Sequence, residues 1–322
     1  MSEGVFVAQE SRLELAQAPS GRAERPPETN RKSTSRWRGL FWVLPGLAVL
    51  CLFVYYPLIL NFGYSAQESN IFTGEQTFVG ADNYVTMLTD PIFWRSLSNN
   101  VLYAAISILF QVFFSLILAA VVEGLRNPRW RAALRAIYFV PSAMSLTVTG
   151  LLFSFIYKPD GGLLNGILDA LGLGTFDTAW LGNPHTAMIA IILMSQWQGF
   201  GYSTLLFAVA IQRIPRETLE AAALDGVGPV RQIFSMTIPL VREMTGLMMI
   251  VVVSGAFQVF NEVMVTTSGG PDNATQVLGT WLYRSGFVKN DFGYAAAIAV
   301  VMFVITLFLA IAQVVYTNRR RI

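Results

Sequence analysis

Two short runs hold most of the polar chemistry in an otherwise apolar chain. SQWQGFGYS supplies Ser195, Gln196, Trp197, Gln198, Tyr202 and Ser203, and FQVFNE supplies Phe257, Gln258, Asn261 and Glu262. Gln111 adds a third site of the same kind. Amides both donate and accept hydrogen bonds, and aromatic rings offer broad apolar faces, so this set suits a neutral polyol or sugar. The same groups can also glue apolar helices together. Polar side chains are expensive in lipid, so each is expected to do one or the other. Glu262, near the outer end of its segment, is also placed to pair with a lysine or arginine.

Other chemistries lack their residues. His185 is the only histidine, too little for an ordinary zinc site. No GxxxxGK[ST] phosphate-cradling run occurs, so no catalytic, metal-binding or cofactor-binding residue is expected in this chain. Cys51 stands alone in an apolar run and excludes an internal disulfide. Asn273–Thr275 matches a glycosylation sequon and reads here as part of a turn.

The elements that position these groups follow from composition. Of 322 residues 54% are hydrophobic and 13% charged, about half the charge of an ordinary soluble domain. The net charge of +2 is too small to argue for nucleic acid. Residues 1–36 differ: rich in Pro, Ser, Arg and Glu, they have little to bury and read as a disordered cytoplasmic arm. The arm does not resemble a cleavable signal peptide.

A bilayer core needs about 20 apolar residues in a helix. Six windows within a transmembrane domain of 37–322 meet that need: about 40–62, 97–122, 132–157, 186–211, 244–265 and 292–316. Pro45, Pro57 and Pro141 should bend or break their helices. The expected class is an all-α polytopic membrane protein. Of 22 basic residues only Arg95, Lys158, Arg284 and Lys289 fall on one side. The excess on the other side puts both termini in the cytoplasm. The outer loops, 63–96, 158–185 and 266–291, are too short for a large domain.

The loop between spans 4 and 5 carries a charged insert, EAAALDG at Glu220–Gly226, followed by PVRQIFSM and the IPL of Ile238–Leu240. Pro215 can open a helix, RETLEAAAL favours one, and Gly226 can close it. Leu219, Ala222 and Ala223 share a thin face able to enter a groove. Asp225, at the unfavourable end of the helix dipole, points to a specific partner. An amphipathic loop resting on the bilayer is the alternative.

EAAALDGVGPVRQIFSMTIPL resembles the EAA loop of inner-membrane permease subunits of bacterial ABC importers, with Glu220, Ala221, Ala222, Asp225 and Gly226 as the motif residues. Ile214-Pro215, PDGGLLN at Pro159–Asn165, Thr267–Pro271 and GYAAA at Gly293–Ala297 resemble further segments of the sugar and glycerol-phosphate permeases. Val227 and Glu243 depart from that pattern. The resemblance implies a coupling helix between spans 4 and 5 that inserts into a separate ATPase, which would bind ATP and Mg. It also implies two ATPase subunits, a second homologous permease, an extracytoplasmic solute-binding protein and a bacterial inner-membrane location. A glycerol-phosphate substrate is one alternative. An ion-coupled secondary carrier and a membrane enzyme are two others, but neither has a use for the insert.

Overall fold

A computed structural model describes residues 36–69, 76–176 and 178–319. The arm of residues 1–35 lies outside them. Contacts divide the chain into two units, the first ending at Tyr56 and the second running from Pro57.

Helix α1 (Arg36–Leu50) contains Pro45, and after Cys51–Tyr55 comes α2 (Tyr56–Tyr64). Pro57 has no N–H to return to the preceding turn. The backbone there opens to π spacing, with the Tyr56 N–H reaching the Cys51 carbonyl. The expected loop 63–96 is partly built. Strands β1 (Gln67–Ser69) and β2 (Gln76–Phe78) pair antiparallel, and α3 (Asp82–Thr89) follows. The fold is therefore helical, as expected, with one small ribbon in that loop.

Helix α4 (Pro91–Ser107) starts six residues before the expected span, because Asp90 caps it and Pro91 fits its first turn. It passes through the π turn Ile108–Phe114 into α5 (Ser115–Glu123). Helices α6 (Pro128–Phe139) and α7 (Leu146–Ile156) replace the single third span. They meet at 96°, where Pro141 sits in a tight turn and Met144 and Ser145 are extended. Helix α8 (Leu163–Ala170) follows, and α9 (Ala187–Ile211) runs through the middle of the bundle.

The insert forms α10 (Arg216–Leu224), α11 (Pro229–Gln232) and α12 (Ile238–Leu240), the last two joined by a π turn. Helix α13 (Arg242–Phe257) begins after a 71° bend. The fifth span was expected to run unbroken to Val265; instead α13 stops and α14 (Asn261–Thr266) restarts after a gap. Gln258 and Asn261 lie on the two sides of that gap rather than on one helix. Helix α15 (Leu278–Tyr283) and the long α16 (Phe292–Arg319) complete the chain.

Among the described residues, Phe41–Tyr64, Pro91–Glu123 and Phe292–Ala312 are long and apolar enough to cross a membrane. Counting each bent pair as one span gives five. Helix α9 has 25 residues, roughly 37 Å at 1.5 Å per residue, so it has the length. Its polar centre, Ser195–Ser203, lowers its hydropathy.

Three apolar clusters hold the second unit together. Met194, Ile191 and Ile192 of α9 pack with Tyr103, Ala256 and Val263. Phe207 and Ala208 pack with Val112, Leu116 and Met248. Phe93, Phe257, Trp281, Tyr294 and Ile298 form the third.

Polar staples fix these layers. Asp90 accepts from the Ile92 N–H at 2.8 Å, the Trp281 indole at 2.9 Å and the Tyr294 hydroxyl at 2.6 Å. One carboxylate thus ties α4, α15 and α16. Asn100, fully buried, donates to the Ala256 carbonyl at 2.7 Å and accepts from the Leu278 N–H at 2.8 Å. Asn100→Ala leaves both backbone groups without that partner, at roughly 1–3 kcal/mol for each buried group. We expect a marked fall in the melting temperature of the detergent-solubilised protein; an unchanged transition would show that water replaces the side chain.

Candidate docking loop and translocation path

The insert folds as a helix, a tight turn and a second helix. Gly226 has φ +80°, and the Val227 N–H reaches back to the Ala222 carbonyl at 3.0 Å. This closes α10 with the left-handed residue that glycine adopts at least cost. Gly228 is extended and Pro229 opens α11. Gln232 of α11 donates to the Leu219 carbonyl of α10 at 2.9 Å, which locks the two helices together. Ala222 is buried, whereas Glu220, Ala221, Asp225 and Gly226 are exposed and Leu224 is 89% exposed. A cleft of about 780 Å³, lined in part by Val209, Arg213, Thr218 and Met244, opens beside the start of α10.

The helix leading into this insert is anchored by one carboxylate. Glu123, at the end of α5, has a side chain only 5% exposed. It takes two hydrogen bonds from Arg135 of α6, lies 3.7 Å from Arg131 and accepts from Gln212 at 3.3 Å. Gln212 follows the last residue of α9, so three helix ends converge on Glu123 just before the insert begins.

The SQWQGFGYS run divides between glue and open surface. Gln196 is 1% exposed; it accepts from Gln111 at 2.8 Å and donates to Ser107 at 3.0 Å and to the Ile192 carbonyl at 3.2 Å. That is interhelical adhesion. Gln198 donates to the Met144 carbonyl at 2.8 Å, in the α6–α7 break. Ser142, from the same break, donates to the Gln198 carbonyl at 2.8 Å and accepts from the Tyr202 N–H at 2.9 Å. Thus the irregular turn is docked on α9 by polar groups of both. Gly201 makes room for it: a Cβ there would stand 1.8 Å from the Tyr138 carbonyl oxygen. Trp197 and Tyr202 keep exposed rings, and Trp197 packs against Phe153 at 5.3 Å between centroids.

In the second run Phe257 is a core residue of the third cluster. Gln258 and Asn261 are exposed on either side of the α13–α14 break, and among the described residues neither amide has a partner. Among the described residues Glu262 does not find the expected basic partner. Tyr103 of α4 donates to it at 3.4 Å and also hydrogen-bonds Ser195 of α9. This links α4, α9 and α14 behind the exposed amides.

Sequence reasoning missed Asp90, Asn99, Asn100 and Glu123. The consecutive pair Asn99-Asn100 in an apolar helix was an available signal. Asn99 holds the loop after α14, donating to the Ala274 and Gln276 carbonyls at 2.8 Å each. In that loop Gly269 has φ +90° and lies against the Gln276 side chain.

Residues 111–322 match the family described as binding-protein-dependent transport system inner membrane component. The chain is 47% identical over 272 residues to the probable ABC transporter permease protein YurN of Bacillus subtilis (strain 168), covering 84% of this chain and 93% of that one. It is 35% identical to the diacetylchitobiose uptake system permease protein NgcF of Streptomyces coelicolor, over 94% of this chain and 88% of the relative. Identity is 30% to the sn-glycerol-3-phosphate transport system permease protein UgpA of Escherichia coli (strain UTI89 / UPEC), over 89% and 96%. A bacterial alginate ABC transporter, solved in complex with an alginate pentasaccharide-bound periplasmic protein, shares the fold. It matches with a TM-score of 0.76 at 21% identity, over 86% of this chain and 92% of that one. With a bent, interrupted helical bundle of this fold and a family match over its last two thirds, the chain belongs to the inner-membrane permease components of binding-protein-dependent ABC transport systems.

Proposed function

We propose that this chain forms half of the translocation path of an ATP-driven carbohydrate importer, paired with a second, homologous permease. The observation that carries the reading is the α10–α11 unit, rigidly closed on one side and exposed at Glu220, Ala221, Leu224 and Asp225 on the other. Such a unit is a docking handle, and its proposed socket is a separate ATPase subunit that binds ATP and Mg. Added to the five spans counted above, helix α9 would complete six with both termini cytoplasmic, placing the handle on the ATPase side.

The mechanism follows from the handle. When two ATPases close on ATP, α10 is drawn inward; α9 and α13, which flank the insert in sequence, move with it and the path opens outward. A solute-binding protein then delivers its cargo, and hydrolysis reverses the motion. The alginate importer's capture with its periplasmic protein supports such a partner. The exposed amides of Gln258 and Asn261 beside aromatic rings favour a sugar, in keeping with the substrate named for NgcF. A glycerol-phosphate compound, as named for UgpA, would favour a basic residue on the path.

Purification of the tagged protein from its native membranes, with partners identified by mass spectrometry, tests the assembly. A second permease and an ATPase in stoichiometric amounts are expected. A protein that purifies alone, under conditions that keep known membrane complexes intact, overturns the reading. Within the chain, Gln258→Ala and Asn261→Ala are expected to cut solute uptake several-fold with normal complex yield. Gln196→Ala should lower the yield itself, because it leaves Gln111 and Ser107 without a buried partner. Equal loss of yield and uptake in all three would assign Gln258 and Asn261 to packing.

A further inference from the structure

A row of aromatic rings leads away from the α13–α14 break. Phe260, in the break, meets Tyr283 at 5.6 Å between centroids, Tyr283 lies nearly parallel to Phe287 at 5.3 Å, and Phe287 meets Phe292 edge-on at 5.5 Å. The rings are held by structure rather than by each other alone. Helix α15 sits so close to the break that a Cβ on Gly279 would stand 2.8 Å from the Val259 carbonyl oxygen. Its far side is anchored by Trp281, 2% exposed and bonded to Asp90. Tyr283 and Phe287 nevertheless remain 39% and 62% exposed.

Lipid is a poor occupant for this face. Irregular backbone at membrane depth is tolerated only where it is buried in protein or lines a water-filled cavity. The break at Phe260 is flanked by Gln258 and Asn261, exposed amides without a partner among the described residues. Each would lose several kcal/mol in hydrocarbon. The start of the row therefore faces water or a polar solute. At its other end Phe287 stands in sequence between Arg284 and Lys289, both exposed, and the orientation proposed above puts these charges at the outer aqueous level. A ligand that travels between these points meets ring faces first and amides afterwards. A saccharide has both complements: C–H faces that stack on rings and hydroxyls that bond amides.

We propose that Phe287, Tyr283 and Phe260 form a stacking track that guides a saccharide from the outer face to the Gln258–Asn261 break. The inference rests on the carbohydrate reading above and adds to it the residues that guide the ring. Leucine keeps the apolar bulk of these positions and removes the flat face, and phenylalanine keeps the face of Tyr283 and removes only its hydroxyl. These substitutions separate stacking from packing.

The test uses the complete transport complex in proteoliposomes, with its binding protein at saturation and labelled disaccharides, diacetylchitobiose among them, as probes. Tyr283→Leu and Phe287→Leu are expected to slow uptake by roughly three- to tenfold, the scale of one aromatic contact. Complex yield and ATP hydrolysis stimulated by the binding protein should stay at wild-type levels, and Tyr283→Phe should transport normally. Normal uptake by both leucine variants overturns the track and leaves the carbohydrate reading standing. Loss of yield or of stimulated hydrolysis in both, in step with uptake, also overturns it, because it assigns the rings to contact with lipid or with the second permease. A wild-type complex that accumulates no saccharide overturns the carbohydrate reading and the track together.

Discussion

Gly201→Val is expected to leave almost no correctly inserted protein. The added Cβ would lie 1.8 Å from the Tyr138 carbonyl oxygen and 2.9 Å from the Ser142 hydroxyl. The first of these is backbone, which no rotamer change can clear. Helix α9 must retreat from the α6–α7 break, and three hydrogen bonds across that contact go with it: those of Ser142 to Gln198 and Tyr202 and that of Gln198 to Met144. Overpacking alone costs about 1–3 kcal/mol, and each lost bond leaves a polar group unpaired at about 1–3 kcal/mol more. Together these consume most of a typical stability of about 5–15 kcal/mol. Gly255→Ala is the matched control. Nothing lies within 4 Å of a Cβ there, and alanine favours helix by about 1 kcal/mol. Size-exclusion profiles of the two solubilised variants decide the matter: a monodisperse peak of normal height for Gly201→Val would mean that α9 and the break move apart freely.

The contrast between these two glycines shows where sequence reading reaches its limit. Both sit in apolar helices, and nothing in GFG or SGA says which one another backbone will touch. Helices in the windows near 97–122, 186–211 and 292–316 were legible because periodicity and hydropathy are local, and α4–α5, α9 and α16 lie there, although of these only α4–α5 and α16 are apolar enough by themselves to cross a membrane. Helix α10 and its Gly226 turn were equally plain, since propensity, proline and glycine act within a few residues. The break after Phe257 was not. A valine and an aromatic ring at Val259 and Phe260 continue the apolar pattern, and the interruption depends on Gly279 and Asn100 arriving from elsewhere in the chain. The candidate path was half legible for the same reason. Residue type marked Gln196 and Gln258 alike, while only the fold reveals that the first is satisfied inside the bundle and the second is open.

Reversing charge on the exposed face of α10 separates a handle from a structural loop. Glu220→Arg and Asp225→Arg place their changes on exposed positions, so insertion, yield and melting temperature should hold within about 0.5 kcal/mol, the usual range for surface substitutions. Docking is a different matter. At a small interface a few residues carry most of the energy, about 2 kcal/mol or more each, and a misplaced charge adds repulsion. A loss of that size lowers affinity for the ATPase by at least about 30-fold. Uptake should fall accordingly, and ATPase should be lost from the purified complex. Gly226→Val should do the same by another route, since φ +80° is strained for a β-branched residue and the turn that holds Gln232 against Leu219 would open. If both charge reversals transport solute normally with ATPase bound, the exposed side of α10 is not the handle. Loss of uptake with ATPase still bound would place Glu220 and Asp225 in transmission of the stroke rather than in attachment. The two outcomes are distinguished by quantifying ATPase per permease in the same preparation.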